Sequence, residues 1–279
     1  MSSSSKIIPT CILTAGELAP TPYRVSSLSE AVTYEPVGVY TVARTFHRDH
    51  ALLLDAHLDR LEQSAHLVDI RLNLDRVSLR RALCDMLHRA GYPDAKFRIT
   101  VPQERPECIY LGIEPYTPVA ERVMREGAHV ITVSLVRHNP TVKTTEWMTI
   151  RKPTMDSLPP GDLEAILAAS DGRLLEGLSS NFYGVLNGVL HTAGEGVLEG
   201  ITRRLIIELA PEFLPTSLVD LRQSDIAQLS EAMLTSASRG VVPITMIDGH
   251  PVGDGAVGSI VTQLRRSYDA WAYAHSEPI

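Results

Sequence analysis

Asp171-Gly-Arg-Leu-Leu-Glu-Gly-Leu-Ser-Ser-Asn-Phe-Tyr-Gly-Val-Leu-Asn-Gly188 decides the fold class. The turn dipeptides Asp171-Gly172 and Asn187-Gly188 punctuate strand signals at Leu163–Ala169, Leu174–Leu175 and Asn181–Leu186, so the segment reads as a run of hairpins. Downstream, Thr202–Leu209 is amphipathic at helical spacing and a short helix is expected near Asp225–Leu229. Strands Ala232–Thr235 and Pro243–Ile247, the turn Asp248-Gly249 and a closing helix at about Ile260–Tyr273 follow. Upstream lie a loop-rich passage, His138–Asp162, and a strand, His129–Val136. Hairpins with interspersed helices point to an α+β fold rather than a doubly wound parallel sheet.

The first part of the chain has its own pattern. Val39–Phe46 is rich in β-branched and aromatic residues and reads as a strand. Leu54, Leu58, Leu61, Ala65 and Val68 predict a helix over about 55–68. Leu79, Leu83, Met86, Leu87 and Ala90 predict a second, which Gly91 is placed to end. Phe97–Val101 and Cys108–Ile113 form a plausible hairpin. The stretch from Pro115 to about Gly127, with its charged run Glu121–Glu126, reads as a linker. It gives an N-terminal unit 1–117, a linker 118–127 and a C-terminal unit 128–279.

The chain's 279 residues, 44% hydrophobic and 21% charged, have a globular composition that excludes disordered and fibrous classes. A net charge of -7 argues against a nucleic-acid partner, which requires a basic footprint. Cys11, Cys84 and Cys108 are an odd number without metal-type spacing, so neither a disulfide framework nor a structural zinc motif is expected. The opening Met1–Cys11 lacks the pattern of a secretory leader, and no apolar run is long enough for a membrane span. The expectation is a cytoplasmic protein with no membrane partner.

Few motifs carry chemistry alone. Gly196-Val-Leu-Glu-Gly200-Ile-Thr202-Arg203 runs from a loop into a helix, an arrangement that suits a phosphate at the helix N-terminus. A helix simply capped near Thr202 explains it equally well. Thr235-Ser236-Ala237-Ser-Arg-Gly240 follows a strand with small hydroxylated residues. Glu176 beside Leu174-Leu175 is either a solvated turn residue or a buried acid needing a cation, and generic burial statistics favour the turn. Lys143 in Val142-Lys-Thr is a surface lysine or, in a partly apolar site, a Schiff-base former. Arg60 on its helix is solvated or clamps a phosphate.

In order, these blocks resemble the class IV aminotransferases, the pyridoxal 5'-phosphate (PLP) enzymes of fold type IV, a group that includes branched-chain and D-amino acid aminotransferases. The blocks are Val39-Tyr40, His57-Leu-Asp-Arg60-Leu, Val142-Lys143-Thr, Glu176–Phe182 and Leu198-Glu-Gly200-Ile-Thr202-Arg203, with Thr235-Ser236-Ala237 a weaker sixth. The resemblance spans about residues 38–255. It implies a small N-terminal α/β domain and a larger barrel-like C-terminal domain that binds PLP. It further implies that Lys143 carries PLP as a Schiff base and moves the substrate's proton, and that Glu176 pairs with the pyridine nitrogen. Arg60, the N–H groups of Ile201 and Thr202, and Ser236-Ala237 would hold the phosphate. Ser180 and Asn181 fall within the cofactor-binding block, and Tyr40 and Arg98 are the substrate candidates. Lys152, in Ile150-Arg-Lys-Pro153, is a rival without the Val-Lys-Thr context. A homodimer is implied in the same way.

The chain departs from the family pattern at three places. Pro102-Gln103 stands where a Thr-Arg-Gly turn often clamps the substrate carboxylate, leaving Arg98, Arg105 or Arg44 to substitute. Thr41 replaces a common acidic residue, and Ala237 a common threonine. The leading expectation is an aminotransferase acting between an amino acid and a 2-oxo acid. The close alternative is a 4-amino-4-deoxychorismate lyase that eliminates pyruvate to give 4-aminobenzoate. A non-catalytic small-molecule binder is the alternative from another class.

Overall fold

The computed structural model describes residues 6–279, so Met1–Ser5, part of the stretch read for a leader, lie outside the described residues. The chain forms two compact units. One takes the chain up to Thr117 with Val142–Ile150 and His275–Ile279; the other takes Pro118–Thr141 and Arg151–Ala274.

Among the described residues, the first unit is built on a seven-stranded antiparallel sheet. Its order is Ser276–Pro278, His50–Leu52, Gly38–Phe46, Ala95–Pro102, Ile109–Pro115, Thr10–Thr14 and Glu17–Pro20. The helices Leu54–Leu67 and Arg76–Ala90 pack on one face. Their leucines, Leu58, Leu61, Leu79 and Leu83, are buried against Val39, Ala43, Phe97 and Ile99. Each fully buried leucine contributes about 1.5–3 kcal/mol, so this stripe rather than intrinsic propensity holds the helices. The second helix starts at Asp75, whose carboxylate accepts the Ser78 N–H at 3.0 Å, and ends at Gly91 with φ 65°. Because strand side chains alternate, Tyr40, Arg44 and Phe46 lie on the opposite face from Val39 and Ala43.

The second unit is a closed barrel. Asn181–Leu186 pairs with Glu231–Ser236, which pairs with Gly240–Ile247, all antiparallel. Gly240–Ile247, Ala128–Val133 and Asp162–Ala168 then run parallel to one another. Arg173–Gly177 returns antiparallel and closes the ring where Glu176 pairs with Asn181. The helices Ile201–Leu209 and Ser259–Ala274 belong to the same unit.

Several expectations are revised. The passage His138–Asp162, expected to be loop-rich, contains the helix Thr145–Asp156, which tolerates Pro153. Its buried residues, Thr145, Trp147 and Met148, lie only in its first turns, which leaves no apolar period to read. The expected linker contains the helix Glu121–Glu126, which buries no residue and is ended by Gly127. The strand expected over His129–Val136 stops at Val133, beyond which Val136 is exposed. Residues 142–150 and 275–279, expected with the C-terminal unit, pack with the first because Thr144 bridges Val39 and Ser276–Pro278 pairs with His50–Leu52.

Candidate active site

In the first unit Lys143 is stitched to the strand Gly38–Phe46. The Tyr40 N–H donates to the Lys143 carbonyl at 3.0 Å, the Gly38 N–H donates to Thr145 Oγ1 at 2.8 Å, and the Lys143 N–H donates to Ser64 Oγ at 3.3 Å. The half-buried Lys143 places Nζ 4.8 Å from the Tyr40 ring centroid, within cation–π range. Gly38 is required here, as a Cβ would lie 2.0 Å from the Val101 carbonyl oxygen. Arg60 is buried one helical turn before Ser64 and so shares its face of the helix Leu54–Leu67. His57 on the same helix meets Thr41, with Nδ1 2.9 Å from Oγ1. The rival Lys152 lies on the helix Thr145–Asp156 with its ammonium 2.8 Å from Asp156.

Arg98, expected to be ready for a substrate carboxylate, is committed elsewhere. Its Nε and Nη2 donate to Glu35 Oε1 at 3.2 and 2.5 Å, and Thr100 Oγ1 donates to the other oxygen at 2.8 Å. Both side chains are buried, so Glu35 already neutralises the guanidinium. Arg105 is exposed and paired with Glu107. Arg44 lies between the rings of Phe46 and Tyr116, 4.0 and 4.5 Å from their centroids.

In the second unit Glu176 is the centre. It is a buried strand residue, not a solvated turn: its side chain is 3% exposed, and Oε1 accepts Arg137 Nη1 at 2.6 Å. Oε2 accepts the Leu198 N–H at 3.0 Å and Asn181 Nδ2 at 3.4 Å. These three neighbours are all donors, which favours the anionic form of the carboxylate. Asn181 Nδ2 also donates to the Leu198 carbonyl at 2.9 Å, linking the loop before Gly200 to the barrel's closure. Ser180 Oγ is buried with no hydrogen-bond partner among the described residues.

The helix Ile201–Leu209 begins at Gly200, which supplies no side-chain cap, so Thr202 is a helix residue and not the cap. The first N–H groups of a helix have no partner within it, and here they carry the positive end of the dipole. A Cβ at Gly200 would lie 2.2 Å from Asn181 Oδ1. Arg203 turns to the Ala193 carbonyl and Glu199, at 2.8 and 2.9 Å. Ser236 and Ala237 sit where the hairpin turns, with the Arg239 N–H donating to Ser236 Oγ at 3.3 Å. Arg239 also reaches Ser179 Oγ at 3.1 Å and the fully buried Glu164, whose Oε1 accepts Ser179 Oγ at 2.9 Å. That network ties the turn carrying Ser236-Ala237 to the turn beside Glu176.

Sequence reasoning missed Arg137, Glu164, Arg239 and Ser64. A signal existed for Glu164: a carboxylate inside the largely apolar strand Asp162–Ala168 requires a cation. Arg137 and Ser64 offer no such signal, being ordinary polar residues in a loop and on a helix.

Comparisons with known proteins place these features in context. A family model described as amino-transferase class IV matches residues 38–247. The chain is 28% identical over 249 residues to a D-alanine aminotransferase of Listeria innocua, covering 83% of this chain and 85% of that one. It is 26% identical to a branched-chain-amino-acid aminotransferase of Pseudomonas aeruginosa, over 77% of this chain and 76% of that one. The crystal structure of a branched-chain aminotransferase from Thermoproteus uzoniensis with norvaline superposes with a TM-score of 0.80 at 20% identity, covering 98% of this chain and 99% of that one. This last likeness speaks for the fold alone.

Proposed function

The chain belongs to the class IV aminotransferase family, and we propose that it is a PLP enzyme whose chemistry runs through Lys143. As a family member with transaminase relatives, it transfers an amino group between an amino acid and a 2-oxo acid. These relatives do not favour the pyruvate-eliminating lyase, and membership in an enzyme family leaves the non-catalytic binder without support.

The donor set fits PLP. Glu176 is an anion held by donors, suited to a protonated ring nitrogen. The uncapped helix N-terminus at Gly200 suits a phosphate, and Gly200 lets Asn181, which also donates to Glu176, pack against the start of that helix. When bound, PLP supplies an electron sink for the bond being broken at the substrate's Cα. In this reading Lys143 anchors the cofactor and carries the proton to and from Cα as a general base and acid. Glu176, steadied by Arg137 and Asn181, keeps the ring nitrogen protonated. Arg60, the N–H groups of Ile201 and Thr202, and Ser236-Ala237 hold the phosphate, and Ser180 offers a buried hydroxyl to the same site. Tyr40 lines the substrate side. With Arg98 neutralised by Glu35, carboxylate recognition falls to other donors.

The observation that carries the assignment is the fastening of Lys143 across Tyr40 and Ser64, against the helix-surface ion pair of Lys152. The relatives' names suggest branched-chain amino acids and D-alanine as amino donors to try first. A homodimer and a cytoplasmic location complete the reading. The test is a donor half-reaction followed by absorbance: wild type and Lys152→Ala should convert the bound cofactor to its amine form, and Lys143→Ala should not. Conversion by Lys143→Ala at the wild-type rate would overturn the assignment.

A further inference from the structure

A cluster in the first unit is not used by this chemistry. The turn joining Gly38–Phe46 to His50–Leu52 holds His47 and Arg48 in left-handed conformations, with φ 51° and 78°. Such backbone is costly for residues with side chains and persists only where the surroundings enforce it. Here the Arg48 N–H donates to Asp94 Oδ1 at 3.0 Å, and the turn presents Asp49 and His50 together. On the helix Arg76–Ala90, Cys84 and His88 stand one turn apart on a common face. His88 Nε2 is 3.1 Å from Asp49 Oδ2, Cys84 Sγ is 3.7 Å from His88 Nδ1 and 4.0 Å from Nε2, and His50 Nδ1 is 3.0 Å from Asp49 Oδ1.

We propose that Asp49, Cys84 and His88 form a zinc-binding site, with His50 or water as the fourth ligand. One ligand atom from each of the three lies within 4.8 Å of the others. Tetrahedral zinc with bonds of about 2.0–2.3 Å needs its ligand atoms about 3.3–3.7 Å apart, a closure that side-chain rotation supplies. The donor chemistry selects the metal: thiolate and imidazole suit Zn2+, whereas Mg2+ and Ca2+ require oxygen cages. As the Zn–S bond forms, the Cys84 thiol releases its proton to solvent, so no oxidant or reductant is involved.

The site ties the helix to the hairpin, and through it to the C-terminal strand. The Ile279 N–H donates to the Asp49 carbonyl at 3.0 Å, and Ser276–Pro278 pairs with His50–Leu52. A metal bound only by the folded chain therefore raises the temperature at which this unit unfolds.

The test uses tag-free holoenzyme stripped with a chelator and titrated with Co2+. The expected result is one equivalent bound, with a thiolate-to-metal charge-transfer band and tetrahedral visible bands, both displaced by Zn2+. Cys84→Ser should abolish the charge-transfer band, weaken binding at least tenfold and remove the zinc-dependent rise in Tm while transaminase activity persists. His88→Ala should weaken binding similarly, and Cys11→Ser should change nothing. Absence of the band in wild type, or its survival in Cys84→Ser, overturns the proposal.

Discussion

Replacing Glu176 with Gln tests the second unit's polar centre, because the change keeps the shape and removes the charge. Both oxygens accept from donors, Oε1 from Arg137 and Oε2 from the Leu198 N–H and Asn181. A glutamine must therefore turn its NH2 toward one of these donors, losing a charge-assisted hydrogen bond. It also leaves Arg137, whose side chain is 6% exposed, without its carboxylate. Breaking a buried pair by removing one partner costs about 3–5 kcal/mol. In a protein of this size that lowers Tm by roughly 5–15 °C. Thermal unfolding of the cofactor-free protein isolates this cost from any contact with PLP. Arg137→Met should destabilise as well, and the double variant should lose less than the sum of the singles. The reasoning is refuted if Glu176→Gln unfolds at the wild-type temperature and its effect simply adds to that of Arg137→Met. In the holoenzyme the same variant should lose transaminase activity by at least about tenfold, since the ring nitrogen loses its anionic partner.

Gly200→Ala puts a Cβ 2.2 Å from Asn181 Oδ1, so Asn181 must shift at a cost of about 1–3 kcal/mol and disturb its hydrogen bonds to Glu176 and Leu198; a PLP titration should show weaker binding, and unchanged affinity would count against Asn181 ordering the cofactor site. Asp75 caps the helix Arg76–Ala90, and its hydrogen bonds from Ser78 hold its pKa below the ordinary value. That contribution is present above the ordinary value of about 3.9 and lost as pH falls through the lower folded one, so Asp75→Ala should lower Tm at pH 7 by more than it does near pH 2.

The helices of the first unit were legible because Leu54, Leu58 and Leu61, and Leu79, Leu83 and Met86, repeat at the helical period and bury together. The hairpins were legible from Asp171-Gly172, Asn187-Gly188 and Asp248-Gly249, in which Gly172, Asn187, Gly188, Asp248 and Gly249 take positive φ values that turn residues adopt readily. The helix Thr145–Asp156 was not, because it buries only its first turns and contains Pro153. Long-range pairs were hidden for a different reason. Nothing near Arg98 announces Glu35, and nothing near Glu176 announces Arg137, since these partners meet only through sheet register and barrel closure. Lys143, Glu176 and Gly200-Ile-Thr202 stand in the ordered blocks, whereas Ser64 beside Lys143, Arg137 beside Glu176, and the Glu164–Arg239 pair beside Ser179 and Ser236 are brought there only by the fold.

The central claim is that Lys143 is the covalent anchor for PLP. Borohydride reduction of the holoenzyme, followed by digestion and mass spectrometry, reads this directly. The account predicts a phosphopyridoxyl group on the peptide containing Val142-Lys143-Thr144 and none on Lys152. A label on Lys152, or on no lysine in a protein that turns over amino donors, would contradict it.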